Sequence, residues 1–292
     1  MASLSRTRPI PSIIPTRVVA SAALVAAVMA SAWPSGVVAQ AVSTHSGSVD
    51  VLFAGSLQTV MQQKIEPAFH KATGYHVVGV ANGSSALATE IKGGTEVGDV
   101  FVSASPKADE SLAGATNGKW VSSYREFAKS QLVLGYNPAS KFAPLLKREP
   151  WYSVVDLPGF ILGRTDPATD PKGVLAVDAL QGVALSYDQP ALAAIASSKS
   201  NVFTETSLVG ELQAGQLDAG FFYQVEASAA HLATVPLTGT GLFAHYTIAT
   251  LRGAPHPAAA AAFTRFLLSA TGRDLLASDG VVAIVPATTV TP

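Results

Sequence analysis

The apolar positions of this chain fall into short continuous runs that alternate with stretches of helical spacing. Residues 49–55, VDVLFAG, are β-branched and apolar and close on a glycine, the pattern of a strand buried on both faces of a parallel sheet. Behind them Leu57, Val60, Met61, Ile65 and Phe69 recur at helical intervals up to Thr73-Gly74, which predicts a helix opened by Ser56. YHVVGVA at 75–81 reads as a second strand. After the turn Asn82-Gly83, SSALATEIKGG predicts a short helix with Leu87 and Ile91 on one face, and GDVFVSAS at 98–105 a third strand. The order βαβαβ is the mark of a parallel sheet with helices on its faces.

The alternation continues. SQLVLGYNP at 130–138 predicts a strand that carries the chain out of a first lobe. FILGRTDP predicts strand and loop, DPKGVLAVDALQ and TSLVGELQAG helices, and QLDAGFFYQ another strand. From about residue 242, FAHYTIATL predicts a strand returning to the first lobe, and PAAAAAFTRFLLSATGRDLLAS one terminal helix. No internal repeat or low-complexity linker interrupts the chain, so crossing strands are expected to join the lobes.

Composition narrows the setting. The chain has 292 residues, 48% hydrophobic and 13% charged with a formal net charge of −1, which is too neutral for a nucleic-acid partner. Its mean hydropathy of +0.33 owes something to the N-terminus. There Arg6, Arg8 and Arg17 precede VVASAALVAAVMASA and the small-residue site Ala39-Gln40-Ala41, predicting a signal peptide over 1–41. The apolar run is shorter than the ~20 residues that span a bilayer; an uncleaved anchor is the alternative. Without cysteine there is no disulfide, lipid-bearing thiol or thiolate ligand, and the expected location is the periplasm.

Three predicted helices start after loops of small residues, at AGSL, NGSSAL and DPATDPKG. A helix N-terminus offers unpaired N–H groups and the positive end of the macrodipole, and a serine adds a hydroxyl donor, so each start is a candidate oxyanion cradle. Plain N-capping is the alternative for any one of them. Two cradles at the carboxyl ends of successive strands point to a ligand crevice. An enzyme is not expected: neither AGSLQ nor NGSSA completes a nucleophile elbow, and the six histidines show no metal-ligand spacing. Arg164 is expected to pair with Asp166 at the surface or to help neutralise an anion, and Glu211 and Asp218 to be solvated charges.

The ordered strings FAGSL, NGSSALATEIKGG with GDVFVSAS, QLVLGYNP, TDPATDPKG and ELQAGQLDAGFFY resemble the periplasmic molybdate/tungstate-binding proteins of ABC importers, over residues 49–290. The resemblance implies a type II periplasmic-binding fold with two α/β lobes, 49–133 with 242–292 and 134–241, joined by a two-strand hinge. It implies an oxyanion in the cleft, with hydroxyl donors at Ser56 and Ser84, backbone donors at Ser56, Ser84 and Lys172, and the hydroxyl of Tyr223. One style of site in that family adds two carboxylates that bind the metal atom of the anion. Its glutamate, eighteen residues before the tyrosine, falls on Glu205, and its aspartate, two before Lys172, on Asp170.

Two carboxylates beside an ordinary oxyanion are costly, since like charges about 4 Å apart repel by ~4 kcal/mol at an effective dielectric of about 20. They are tolerable if they coordinate Mo(VI) or W(VI), or if they are protonated. The plain alternatives are a first-turn helix charge at Glu205 and a turn or N-cap residue at Asp170. The resemblance further implies delivery of the anion to the membrane permease of an ABC importer, no cofactor beyond this ligand, and a monomer. Another anion, a metal cation held by Asp170, Glu205 and Tyr223, or an exported hydrolase using Ser56 are the competing expectations.

Overall fold

The computed structural model describes residues 47–292, so the signal peptide expected over 1–41 lies outside the described residues. β1 (Gly47–Ala54) leads into a helical run over 55–73: a 3-10 turn (Gly55–Leu57), α1 (Gln58–Val60), a π-helical stretch (Met61–Ile65) and α2 (Glu66–Thr73). Gly74, at φ +79°, ends it as glycine can without a Cβ penalty. Then come β2 (Tyr75–Asn82), α3 (Ser84–Gly93), β3 (Val100–Ser103), α4 (Pro106–Glu110) and β4 (Tyr124–Tyr136). The middle of the chain forms α5 (Ala143–Leu146), α6 (Trp151–Val154), β5 (Leu162–Thr165), α7 (Pro171–Ser186), α8 (Pro190–Ser197), β6 (Val202–Phe203), α9 (Leu208–Gln213), β7 (Ala219–Tyr223) and α10 (Gln224–Ala229). β8 (Ala233–Pro236), β9 (Phe243–Thr250), α11 (Pro257–Leu267), α12 (Ala270–Ala277) and β10 (Val282–Val290) complete it.

The sheet runs in the order β2-β1-β3-β9-β4-β7-β5-β6. β1 is parallel to both β2 and β3, and β5 is parallel to β6 and β7. β4 belongs to both halves. Its residues Arg125–Gln131 pair with β9, whereas Leu132–Tyr136 pair with β7 and, from Val133, with β8. The chain therefore passes between the halves twice, once within β4 and once between β8 and β9, where Leu132 donates its N–H to Leu242 at 2.9 Å. Buried Val49, Val51, Phe69 and Phe263 fill one face of the first half, and Leu87, Ile91 and Phe101 the other. Trp151, Leu180 and Phe221 anchor the second half.

Two local expectations change. The terminal helix is two helices, because the Ser269 hydroxyl accepts the Gly272 N–H at 3.2 Å and starts α12 afresh. The carbonyl oxygens of Phe266 and Leu267 close on Gly272 so tightly that no Cβ would fit there. Arg164 is not a surface charge: it is buried and donates to the carbonyl oxygens of Thr165 at 3.1 Å, Ala196 at 3.2 Å and Ser198 at 2.5 Å, tying β5 to the end of α8.

Candidate anion site

The residues singled out in the sequence lie at the carboxyl ends of β1, β2, β5, β6 and β7, the end of an open α/β sheet where ligands gather. Ser56, in the tight turn after β1, is buried, and its hydroxyl lies 3.0 Å from that of Tyr246 on β9. Ser84, first residue of α3, is buried too, and its Oγ accepts the N–H of Ala104 at 3.0 Å. A hydroxyl that accepts from the backbone turns its own proton away, so Ser84 can donate onward.

Asp170 is the N-cap of α7. One oxygen, Oδ1, accepts the Lys172 N–H at 3.2 Å, while the buried Oδ2 has no hydrogen-bond partner. The backbone donor expected at Lys172 is thus engaged by the cap. Burial pushes the Asp170 carboxyl well above the usual carboxylate range, and the charge of the adjacent Glu205 pushes it further.

Glu205, in the turn before α9, is 4% exposed. Its Oε2 stands 2.9 Å from the Lys172 ammonium, a close ion pair that is not aligned as a hydrogen bond. Lys172 has no exposed surface, and its Nζ donates to both oxygens of Glu226 at 2.8 and 2.7 Å. Burial alone would lower the pKa of this ammonium. The carboxylates of Glu205, Glu226 and Asp170 outweigh it and raise that pKa above the ordinary lysine value. Tyr223, the last residue of β7, is fully buried with its hydroxyl unpartnered, and burial beside Asp170 holds the phenol well above its usual pKa.

Elements of the two halves meet across this cluster. A Cβ on Gly55 would stand 2.5 Å from Cγ of Glu205, and one on Gly83 would collide with the carbonyl oxygen of Thr169 and lie 3.1 Å from Cβ of Asp170. The absence of a side chain at Gly55 and Gly83 brings the loops bearing Ser56 and Ser84 against those bearing Glu205 and Asp170. The model for bacterial extracellular solute-binding proteins matches residues 49–282, across the whole of this arrangement.

The chain belongs to that solute-binding family.

Within it, the chain is 30% identical over 178 residues to a Haloferax volcanii protein that bears the name of an ABC transporter molybdenum-binding protein. It is 24% identical over 204 residues to the molybdate/tungstate-binding protein WtpA of Pyrococcus abyssi. These matches cover 61% and 52% of this chain and only 55% and 59% of the relatives. Among solved structures it is similar to the Azotobacter vinelandii periplasmic molybdate-binding protein, with a TM-score of 0.62 at 18% identity over 82% of this chain and 99% of that one. It is as similar to the sulfate-binding protein SubI of Mycobacterium tuberculosis, with a TM-score of 0.63 at 16% identity over 82% and 88%. These structures establish the type II periplasmic-binding fold.

Sequence reasoning missed Tyr246, Glu226 and the ammonium of Lys172. A signal for the last existed: a cation in the first turn of a helix opposes the macrodipole and calls for a compensating anion. Asp218 was expected to be solvated, yet it is half-buried and accepts from the Ser140 hydroxyl at 2.5 Å and from the Ile161 N–H at 2.7 Å, which fastens the loop before β5.

Proposed function

We propose that this family member captures molybdate or tungstate outside the cytoplasm and delivers it to the membrane permease of an ABC importer. The observation that carries the reading is the meeting of Asp170 and Glu205, two buried carboxyl groups, beside Ser56, Ser84 and the unpartnered hydroxyl of Tyr223. Hydroxyl donors suit any tetrahedral oxyanion, but two ionised carboxylates do not. Their oxygens are acceptors when ionised, and a dianion about 4 Å from each would be repelled by ~8 kcal/mol per carboxylate at an effective dielectric of about 20. Donation of their lone pairs to Mo(VI) or W(VI) reverses that sign, and sulfur does not readily accept additional oxygen ligands.

Ser56, Ser84 and Tyr223 would hold the anion's oxygens, Asp170 and Glu205 its metal atom, and Lys172 would compensate charge from behind. Residues 49–133 with 242–292 and residues 134–241 would act as lobes that close through β4 and the β8–β9 passage, with the bound anion stabilising the closed population. Residues 1–41 would direct export to the periplasm, where the protein would work as a monomer. Among the described residues no helix is long and apolar enough to cross a membrane.

Calorimetric titration of the protein with tungstate, molybdate, sulfate and ferric citrate tests this. Sub-micromolar binding of the first two, with no heat from the others, is expected. Tight sulfate binding would sink the coordination argument, and ferric citrate alone would favour a metal-cation carrier.

A further inference from the structure

The Lys172 ammonium is sealed from solvent and its neighbours are protein carboxylates, so it acts on a ligand through them and not by contact. Its orientation is fixed from behind. Glu226, in the first turn of α10, accepts the Tyr223 N–H on Oε2 at 3.4 Å, while both its oxygens hold Nζ. The ammonium in turn pins Oε2 of Glu205 at 2.9 Å, and Gly55 limits the other side of that side chain, 2.5 Å from the place of its own Cβ to Cγ of Glu205. A continuous chain therefore runs from the end of β7 through Glu226 and Lys172 to Glu205.

We propose that Lys172 and Glu226 form a positioning pair that aims the Glu205 carboxylate at the bound oxyanion, so that Glu205 enters the metal's coordination only while the pair is intact. This rests on the capture of molybdate or tungstate proposed above. Glutamate has three rotatable side-chain bonds, and its buried carboxylate needs a fixed counter-charge to hold one of its orientations. Without Lys172 the carboxylate would lose that anchor and add an uncompensated charge where a dianion must enter.

Removing Lys172 alone would strand Glu226, so the main variant is Lys172→Met with Glu226→Gln, which takes away both members of the buried pair. Molybdate affinity is read by calorimetry and the coordination of bound molybdenum by its K-edge X-ray absorption. The double variant should bind at least tenfold more weakly, with a spectrum shifted toward tetrahedral molybdate and matching that of Glu205→Gln. Adding Glu205→Gln to the double variant should cost little more, because both changes remove the same bond. Glu226→Gln alone, which keeps the ammonium but loosens it, should shift the spectrum in the same direction and serves if the double variant does not fold.

Wild-type affinity and spectrum in a folded variant, or fully additive losses, would overturn the proposal while leaving molybdate capture intact. If the wild-type protein takes up neither molybdate nor tungstate, the functional reading falls and this inference falls with it.

Discussion

The carbonyl oxygen of Thr169 stands where a Cβ on Gly83 would have to be, and the same oxygen accepts the N–H of Ala86 at 3.0 Å. One contact thus joins the start of α3 to the loop before α7. The glycine is required by this approach and not by its backbone, since its φ of −59° is open to any residue.

Gly83→Ala should therefore leave each half intact and obstruct only their meeting. Overpacking a closed contact costs about 1–3 kcal/mol, so tungstate affinity should drop about five- to 150-fold. The unfolding free energy of the ligand-free protein should change by less than about 1 kcal/mol. Small-angle scattering in saturating tungstate would check the mechanism: the variant should remain closer to its ligand-free dimensions than wild type. Equal affinity in the two proteins would mean that the lobes need not meet here.

Stability should also depend on Asp109, which lies outside the anion site. Its carboxyl is buried on α4, accepts from the Thr247 hydroxyl on β9 at 2.5 Å, and is pushed by burial to about 7. Below an unfolded-chain value near 3.8 both states hold the proton and the shift is without effect. Between there and about 7 the folded protein holds the proton more tightly, so stability falls as pH rises, by up to ~1.4 kcal/mol per pH unit inside the window. Asp109→Asn keeps an acceptor for Thr247 and removes this dependence. Chemical denaturation at pH 5 and 7.5 should show a smaller loss of stability in the variant than in wild type.

The parallel strands and the helices after them were legible because a buried strand and a helix face differ in period, as VDVLFAG and the Leu57–Phe69 series illustrate. β10 was not expected, since VAIVPATTV carries a proline and alternates weakly, and its pairing with β4 is a long-range choice that local pattern does not encode. Ser56, Ser84, Asp170, Glu205 and Tyr223 could be named because order and spacing along the chain resemble a family. Glu226 and Tyr246 could not, because a glutamate in a first helical turn and a tyrosine in a strand each have an ordinary local explanation. Only the fold brings Glu226 to Lys172 across 54 positions and Tyr246 to Ser56 across 190.

The buried cation should be expensive to remove by itself. Lys172→Met leaves Glu205 and Glu226 buried without their counter-ion, and breaking a buried pair from one side costs about 3–5 kcal/mol. Replacing Glu226 by Gln in the same molecule should recover a large part of that loss, because the neutral amide has no ionic desolvation penalty. Denaturant titrations of the two variants and wild type measure the difference. A single variant as stable as wild type would mean that the carboxylates are protonated or reach water without the lysine.

Asp170 offers the sharpest separation between a helix cap and a ligand, because its two oxygens have different tasks. Oδ1 accepts from the Lys172 N–H, and asparagine caps helices as well as aspartate does, so Asp170→Asn should keep α7 in place. It also removes a carboxyl that is unfavourable to ionise in its buried place, and the ligand-free protein should be as stable as wild type or slightly more so. What changes is Oδ2, an oxygen that can bond to molybdenum or tungsten, replaced by an NH2 group that cannot. Tungstate affinity should fall more than tenfold, at least about 1.4 kcal/mol, with the fold intact. A site that held its anion by hydrogen bonds alone would lose little affinity or gain some, since the amide supplies a donor where a protonated carboxyl already donates one and an ionised carboxylate repels. The affinity change in this one variant, measured by calorimetry with tungstate and sulfate side by side, therefore decides whether the carboxylate touches the metal or merely ends a helix.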